Sequence, residues 1–416
     1  MMSRGQIHLS QLGKGKSPNI KLPRRIRGIM RATSRPRQKS VGLPLITALA
    51  VFVVLALTIQ AHAQQLVAFD APGSSQSAYV GTESTGINLW GTIVGDVTDN
   101  NGGTHGFLRS PDGKFTEFDA PGANPAPEYN CLYGAGGTCP SAINDLGVVA
   151  GSDGDANGVF HGFLRLPGGS ITTFDVPSAG TAPGQGQGTY PQSINVFGAV
   201  TGYYLDSNNV YHGFLRSPDG GITTFDDPAA GATAYLGTFP ESINDLGMIA
   251  GAISDANSFG RGFVRSPDGQ IVSFDPPGAA GGEYGLDNAF INDAGVVAGN
   301  YLQATGNVSY GFQGPADGKL TAFQVPGAGS AAFDGTYLSA VNVEGTTTGY
   351  VTDANVENHS FVRDAGGKVT VFDVPGQLLL PGSDFGSAGE AINAGGVVAG
   401  RWHDANLVLH AFVRLP

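Results

Sequence analysis

Short apolar runs alternate with turns rich in Gly, Asn, Asp and Pro from Gln65 to the C-terminus, and no apolar period of 3.6 residues stands out after Gln64. Residues 137–175 give the type unit. Ser141–Asn144 predicts a short strand A, and Asn144-Asp145-Leu146-Gly147 a turn whose Gly supplies the positive φ it needs. Val148–Gly151 predicts strand B, and the polar turn Asp153–Gly158 leads to strand C at His161–Arg165. Pro167-Gly168-Gly169 turns the chain into strand D at Ile171–Phe174. Four strands in about 50 residues is the scale of one β-propeller blade.

The unit recurs. Phe-Asp-x-Pro begins at Phe69, Phe118, Phe174, Phe225, Phe274 and Phe372, with Phe-Gln-Val-Pro at Phe323, in steps of 49 to 56 residues. Strand A ends in Ile-Asn or Val-Asn at Asn88, Asn144, Asn195, Asn244, Asn292, Asn342 and Asn393. Strand C carries Phe107, Phe163, Phe214, Phe263, Phe312, Phe361 and Phe412, the positions expected to pack between blades. After His410–Arg414 the chain stops without a strand D, while Gln65–Asp70 reads as a strand D with no partners in its own copy. The two loose ends complement each other and remove two sheet edges. The expected fold is all-β: a seven-bladed β-propeller of four-stranded blades, with the N-terminal strand closing the last blade.

Composition supports turns over helices: 65 Gly and 25 Pro fit many short strands. Charge divides the chain. Residues 1–63 hold 11 Lys/Arg and no acid, leaving 11 Lys/Arg against all 34 Asp/Glu, a formal charge of −23, in residues 64–416. A body that acidic repels phosphate backbones, which excludes nucleic acid as a partner. The basic stretch Arg24–Lys39, the apolar run Gly42–Ile59 and Ala61-His62-Ala63 read as an export signal cleaved near Ala63, with Met1 or Met30 as the start. Uncleaved, the same run is just long enough to anchor the protein in a membrane, the one membrane contact expected. The domains are therefore 1–63, the signal region, and 64–416, the propeller, which is placed outside the cytoplasm: secreted, periplasmic or at the surface of a bacterial cell. Cys131 and Cys139, both in the longest repeat, would form a disulfide in such a compartment.

The strand C phrase His-Gly-Phe-Leu-Arg (His105, His161, His212), with its variant His410-Ala411-Phe412, resembles the HAF-type extracellular repeat proteins of bacteria over Gln65–Pro416. In that family a further aromatic often follows the Phe; here Arg109, Arg165, Arg216, Arg265, Arg363 and Arg414 stand nearby, marking a divergent subtype. The resemblance implies export and a propeller-like repeat and brings no activity with it.

Candidate chemistry follows from the rims. A–B and C–D turns share one rim; B–C and D–A loops share the other. The D–A loops differ from copy to copy, and varied loops on a rigid scaffold are where binding lives. The residue after Gly-Thr does not repeat: Glu83, Cys139, Tyr190, Phe239, Asp287, Tyr337 and Ala388. Two positions on come Thr85, Ser141, Gln192, Glu241, Ala289, Ser339 and Glu390. A mouth built of Glu83, Tyr190, Phe239, Glu241, Asp287, Tyr337 and Glu390, with His403 from the deviant last copy, could hold a sugar by stacking and hydrogen bonds or a cation by carboxylates. The bland reading is a set of varied solvent-exposed loop residues. His in strand C is replaced by Arg261 and Tyr310 in two copies, which points to structure, such as a bond to a neighbouring blade, rather than catalysis. Asp153, Asp155 and Asn157 match the start of a calcium loop but lack its closing Glu, and Asp-x-Asn turns recur without that first Asp. No cofactor other than calcium is suggested. The function expected is a non-catalytic binding or surface-interaction module for an extracellular glycan, peptide or protein. The alternative is a polysaccharide hydrolase or lyase using carboxylates on the same face.

Overall fold

The computed structural model describes residues 65–124, 131, 136–279 and 284–416. The export signal, its cleavage site and the anchor reading lie outside them. Among the described residues there is no helix long and apolar enough to cross a membrane.

The type blade consists of Gly137–Ile143, Val149–Gly154, Phe160–Arg165 and Ile171–Phe174, paired antiparallel in chain order. The same meander recurs from Thr82–Ile87 to Phe115–Phe118, from Gly188–Ile194 to Ile222–Phe225 and from Gly237–Ile243 to Ile271–Phe274. It recurs again from Leu286–Ile291 to Thr321–Phe323 and from Gly335–Val341 to Val369–Phe372. The remaining sheet joins Ser387–Ile392, Val398–His403 and Leu409–Arg414 to Leu66–Phe69, in the register Leu66↔Arg414 to Phe69↔Ala411. These four-stranded sheets are the blades of a β-propeller, and the N-terminal strand supplies the outer strand of the C-terminal one.

Strand A is innermost, since A strands touch the A strands of neighbouring blades. Its end is tied by the repeated Asn. Asn144 Oδ1 accepts the N–H groups of Leu146 and Val148, closing its own turn, while its Nδ2 donates to the Asn195 carbonyl at 3.0 Å. Asn88 donates to the Asn144 carbonyl, Asn195 to Asn244, Asn244 to Asn292, Asn292 to Asn342 and Asn342 to Asn393. Asn393 then donates to the Asn88 carbonyl at 3.0 Å, so the belt returns to its start. Each amide does two jobs with one side chain, which explains why Gln or Asp does not stand in for it.

Packing between blades rests on two aromatic positions and a cation. Every strand C Phe is fully buried, and the Phe of Phe-Asp-x-Pro meets it edge-on from the preceding blade. Phe118 and Phe163 lie 6.2 Å apart at 75°, Phe174 and Phe214 6.2 Å at 71°. The strand C Arg covers the same ring: Arg165 stands 4.8 Å over Phe118 and Arg414 4.9 Å over Phe372. At this position a guanidinium stacks on an aromatic face.

Two expectations change. The strand C His does not reach a neighbouring blade. Its Nδ1 meets the Asp of Phe-Asp-x-Pro within its own blade, as in His105–Asp119 at 2.7 Å and His161–Asp175 at 2.9 Å. Arg261 replaces His with a bidentate pair to Asp275, and in the copy where Tyr310 replaces it the Asp is replaced as well, by Gln324. Second, strand A begins earlier than expected, at or directly after a repeated Gly such as Gly137 or Gly237. Gly237 lies against the Tyr211 backbone of the preceding blade, and a Cβ there would sit 1.9 Å from the Tyr211 carbonyl oxygen. These glycines are contact points between blades, and the D–A loops are correspondingly shorter than expected.

Candidate functional site

Moving the start of strand A relocates the candidate residues. Glu83, Tyr190, Phe239 and Tyr337 lie inside strand A and not on the loop before it. Each A strand also carries a bulge, where one residue is skipped in the pairing with strand B. The register jumps from Ser84 to Gly86, Pro140 to Ala142, Pro191 to Ser193, Pro240 to Ser242, Leu286 to Asn288, Leu338 to Ala340 and Gly389 to Ala391. The skipped residues are Thr85, Ser141, Gln192, Glu241, Asp287, Ser339 and Glu390. The second non-repeating position of the sequence is therefore the bulge residue, except that Asp287 takes it where Ala289 was aligned. A bulge turns one extra side chain out of the ladder, and here it varies the channel wall from blade to blade.

These residues line three cavities at the D–A end of the channel. One of about 460 Å3 is bounded by Tyr337, Tyr350, Phe333, Phe385, Arg401 and His403 among others. A second, of about 540 Å3, includes Glu83, Asp96, Tyr190 and Tyr203. A third, of about 520 Å3, includes Phe239, Glu241 and Asp287. The expected mouth exists, but it is three compartments in the wall and not one loop-lined funnel.

The charges are organised by one guanidinium. Arg401 Nη1 donates to Glu83 at 2.7 Å, and its Nε lies 2.9 Å from Glu390, so it pairs two acids from adjacent blades. Burial raises the Glu83 carboxyl against the pull of Arg401. Asp96, directly across the sheet from Glu83, is pushed well above its ordinary value by burial and then by the charge of Glu83. Glu241 is likewise raised well above its usual range by burial, although its Oε2 accepts the Ala289 N–H at 2.6 Å. These acids are wall groups, and the reading of them as solvent-exposed loop residues does not hold for Glu83, which is 7% exposed. Asp287 alone among them is exposed.

His403 ends a strand B with its ring 5.0 Å from Phe385. Burial, then the charges of Arg401 and His410, lower it to about 4, so it is a neutral polar group in the cavity wall at ordinary pH. Adjacent Asp404 is occupied by the N–H groups of Asn406 and Val408. Asp155 and Asn157 form the same turn: Asp155 Oδ1 accepts from Asn157 and Val159, and its Oδ2 from Asn157 Nδ2. Asp153 lies in strand B, 1% exposed, with burial raising it to about 7. The calcium candidate is thus one buried acid beside a self-satisfied turn. Another trio, Asp353, Glu357 and His359, has potential ligand atoms within 4.8 Å of one another. Cys131 and Cys139 form the expected disulfide, a bond that suits an oxidising compartment.

The sequence points to this rim but not to its exposed aromatics. Tyr79, Tyr235 and Phe333, each two residues before the Gly that opens strand A, are 48%, 60% and 50% exposed. All three have left-handed backbones, with φ of 69°, 65° and 68°. Their N–H groups donate to the B–C turns of the preceding blade, at Leu407, Asn209 and Asn307. The signal available was an aromatic at a fixed offset before a repeated Gly. On the opposite rim the A–B turns expose Trp90, Leu146, Phe197 and Leu246.

No family model matches the chain, and no curated protein matches it in sequence. Among solved structures it is similar to virginiamycin B lyase from Staphylococcus aureus, with a TM-score of 0.52 at 13% identity, covering 85% of this chain and 100% of that one. It is similar to a puromycin hydrolase at a TM-score of 0.51 and 13% identity, covering 81% of this chain and 52% of that one, so the chain spans about half the hydrolase's length. The BP39L lectin from Burkholderia pseudomallei aligns at a TM-score of 0.41 and 8% identity, over 72% of this chain and 83% of the lectin. At such identities the likeness is one of fold, and the fold is a β-propeller.

Proposed function

We propose that the chain is an exported seven-bladed propeller, a divergent HAF-type repeat protein, that binds an extracellular glycan on its D–A rim without transforming it. The Asn belt and the pairing of Leu66–Phe69 with Leu409–Arg414 support the closed ring. The disulfide and the basic-apolar N-region support export.

One observation carries the binding reading. Tyr79, Tyr235 and Phe333 hold bulky side chains in the left-handed region, which costs about 1–2 kcal/mol for each residue. About half of each ring stays exposed, although Tyr79 meets Phe385 at 6.0 Å and Phe333 meets Tyr284 at 5.6 Å. Such rings present flat apolar faces, and polar neighbours such as Asn358 and Asp384 line the cavity beside Tyr79 and Phe333. Flat aromatic faces flanked by a few directed polar groups suit a sugar ring.

The rival, a polysaccharide hydrolase or lyase, draws support from the raised carboxyls of Glu83 and Glu241. A glycan array run beside a turnover screen separates the two. Binding without turnover favours the module; turnover that disappears in Glu241→Gln or Glu83→Gln would make the protein an enzyme.

A further inference from the structure

The second cavity has a chemistry of its own. Glu83 and Asp96 enter it from one blade, Tyr190 and Tyr203 from the blade two along, and Ser152 and Phe160 from the blade between. Asp96 is 5% exposed, and its carboxylate has no hydrogen-bond or ion-pair partner among the described residues. Arg401, the one cation acting on it, is already shared between Glu83 and Glu390. Three carboxyls thus surround one guanidinium, and a buried acid without a partner is costly.

The other wall is a π surface. Phe160 stacks on Tyr190 at 4.7 Å and Tyr190 on Tyr203 at 5.1 Å. Three of the hydroxyls that line the space donate to backbone carbonyls. Thr85 donates to the Pro140 carbonyl, Ser141 to Pro191 and Tyr190 to Gly186, so each has only lone pairs to offer. No Lys, Arg or His lines the cavity among the described residues. A compartment rich in acceptors, anions and aromatic faces selects a cation that brings its own N–H donors. A bare metal ion fits less well, because Glu83, Asp96 and Glu390 are not gathered within 4.8 Å as Asp353, Glu357 and His359 are.

We propose that this cavity binds the protonated amine of an amino sugar, with Asp96 as the counter-ion and the Tyr190–Tyr203 stack as the wall. The inference rests on the rim being a glycan-binding surface and names the sugar class it takes.

The test is calorimetric titration of the mature protein with a glucosamine tetramer and with its fully N-acetylated counterpart, which has the same shape but no charge. The amine form should bind tighter by about tenfold or more. Asp96→Asn, nearly isosteric, and Tyr190→Leu should each remove that preference while the melting temperature stays near that of the parent. Equal affinity for the two tetramers, or a preference that survives Asp96→Asn, overturns the proposal. If both forms bind equally and Tyr79→Gly weakens them alike, the rim reading stands and this one falls. If neither binds, this proposal is overturned, and the glycan array decides the rim reading separately. Should Asp96→Asn fail to fold, Glu83→Gln and Tyr190→Leu carry the same comparison.

Discussion

The imidazole Nδ1 of His410 lies 2.8 Å from Asp70, a residue 340 positions away in sequence. In the blades that are continuous in sequence the same bond spans 14 residues, as in His359–Asp373 at 2.7 Å. The C-terminal blade therefore reproduces, between the two ends of the chain, a contact that its siblings make locally.

That contact makes stability depend on pH in a stated direction. The hydrogen bond to Asp70 raises His410 above 6.5, outweighing its burial, and the bond to Asp373 does the same for His359. A base whose folded pKa is raised contributes stability that is full below its unfolded value and is lost as pH rises through the folded one. The stability gap between the parent and His410→Gln should therefore be largest below pH 6.5 and shrink above it. The buried acids Glu83, Asp96 and Glu241 share this sign in the parent, so the gap between the two proteins, followed by denaturant titration across pH, is the quantity to read. A gap that does not change with pH would mean that His410 is held by packing alone.

The Arg–Phe stacks should be energetic and not decorative. Arg165 is 6% exposed, its Nε is buried without a hydrogen-bond partner, and its guanidinium lies over Phe118. Arg165→Ala should cost about 1–2 kcal/mol in urea unfolding, from the lost cation–π contact and stem packing. Phe274 lacks such a cover because Gly314 stands where the other copies have Arg. A cost near zero for Arg165→Ala would assign blade cohesion to the Phe–Phe contacts alone.

Glycines of one sequence pattern should differ sharply in tolerance. Gly237→Ala puts a Cβ into the Tyr211 carbonyl and should cost more than about 3 kcal/mol. At Gly198, with φ of 86° and nothing within 4 Å of a Cβ, alanine should cost only about 1 kcal/mol of backbone strain. Similar losses at both sites, measured by thermal melting, would contradict the close approach of blades at Gly237.

Much of the architecture was legible because each blade repeats its instructions. The Phe of strand C, the Asn of strand A and the unmatched Gln65–Asp70 segment pointed to interblade core, turn and closure without reference to distance. The site was less legible. Glu83 and Tyr190 stand out in sequence because they break the repeat, but strand A of the type blade starts at Gly137, four residues before the Ser141 that the sequence suggests. A glycine that lets two backbones touch, as Gly81 and Gly237 do, reads in sequence like any turn glycine, so the start of the strand carries no mark of its own. Asp96 escaped notice because strand B varies at its position without any motif. Tyr79, Tyr235 and Phe333 share an offset before the repeated Gly, but only three copies show it, and the left-handed backbone behind it has no mark in sequence.

The central claim is that the D–A rim, presented by strained and exposed aromatics, binds a glycan. The most direct measurement is the affinity of the strongest array ligand for the parent, for the triple variant Tyr79→Gly, Tyr235→Gly, Phe333→Gly, and for the opposite-rim pair Trp90→Ser, Phe197→Ser. Glycine relieves the positive φ, so the triple variant should melt at or above the parent temperature while losing about tenfold or more in affinity. The opposite-rim pair should bind as the parent does. Full affinity in the triple variant, or loss confined to the Trp90 and Phe197 pair, would contradict the account and move the binding face to the other end of the channel.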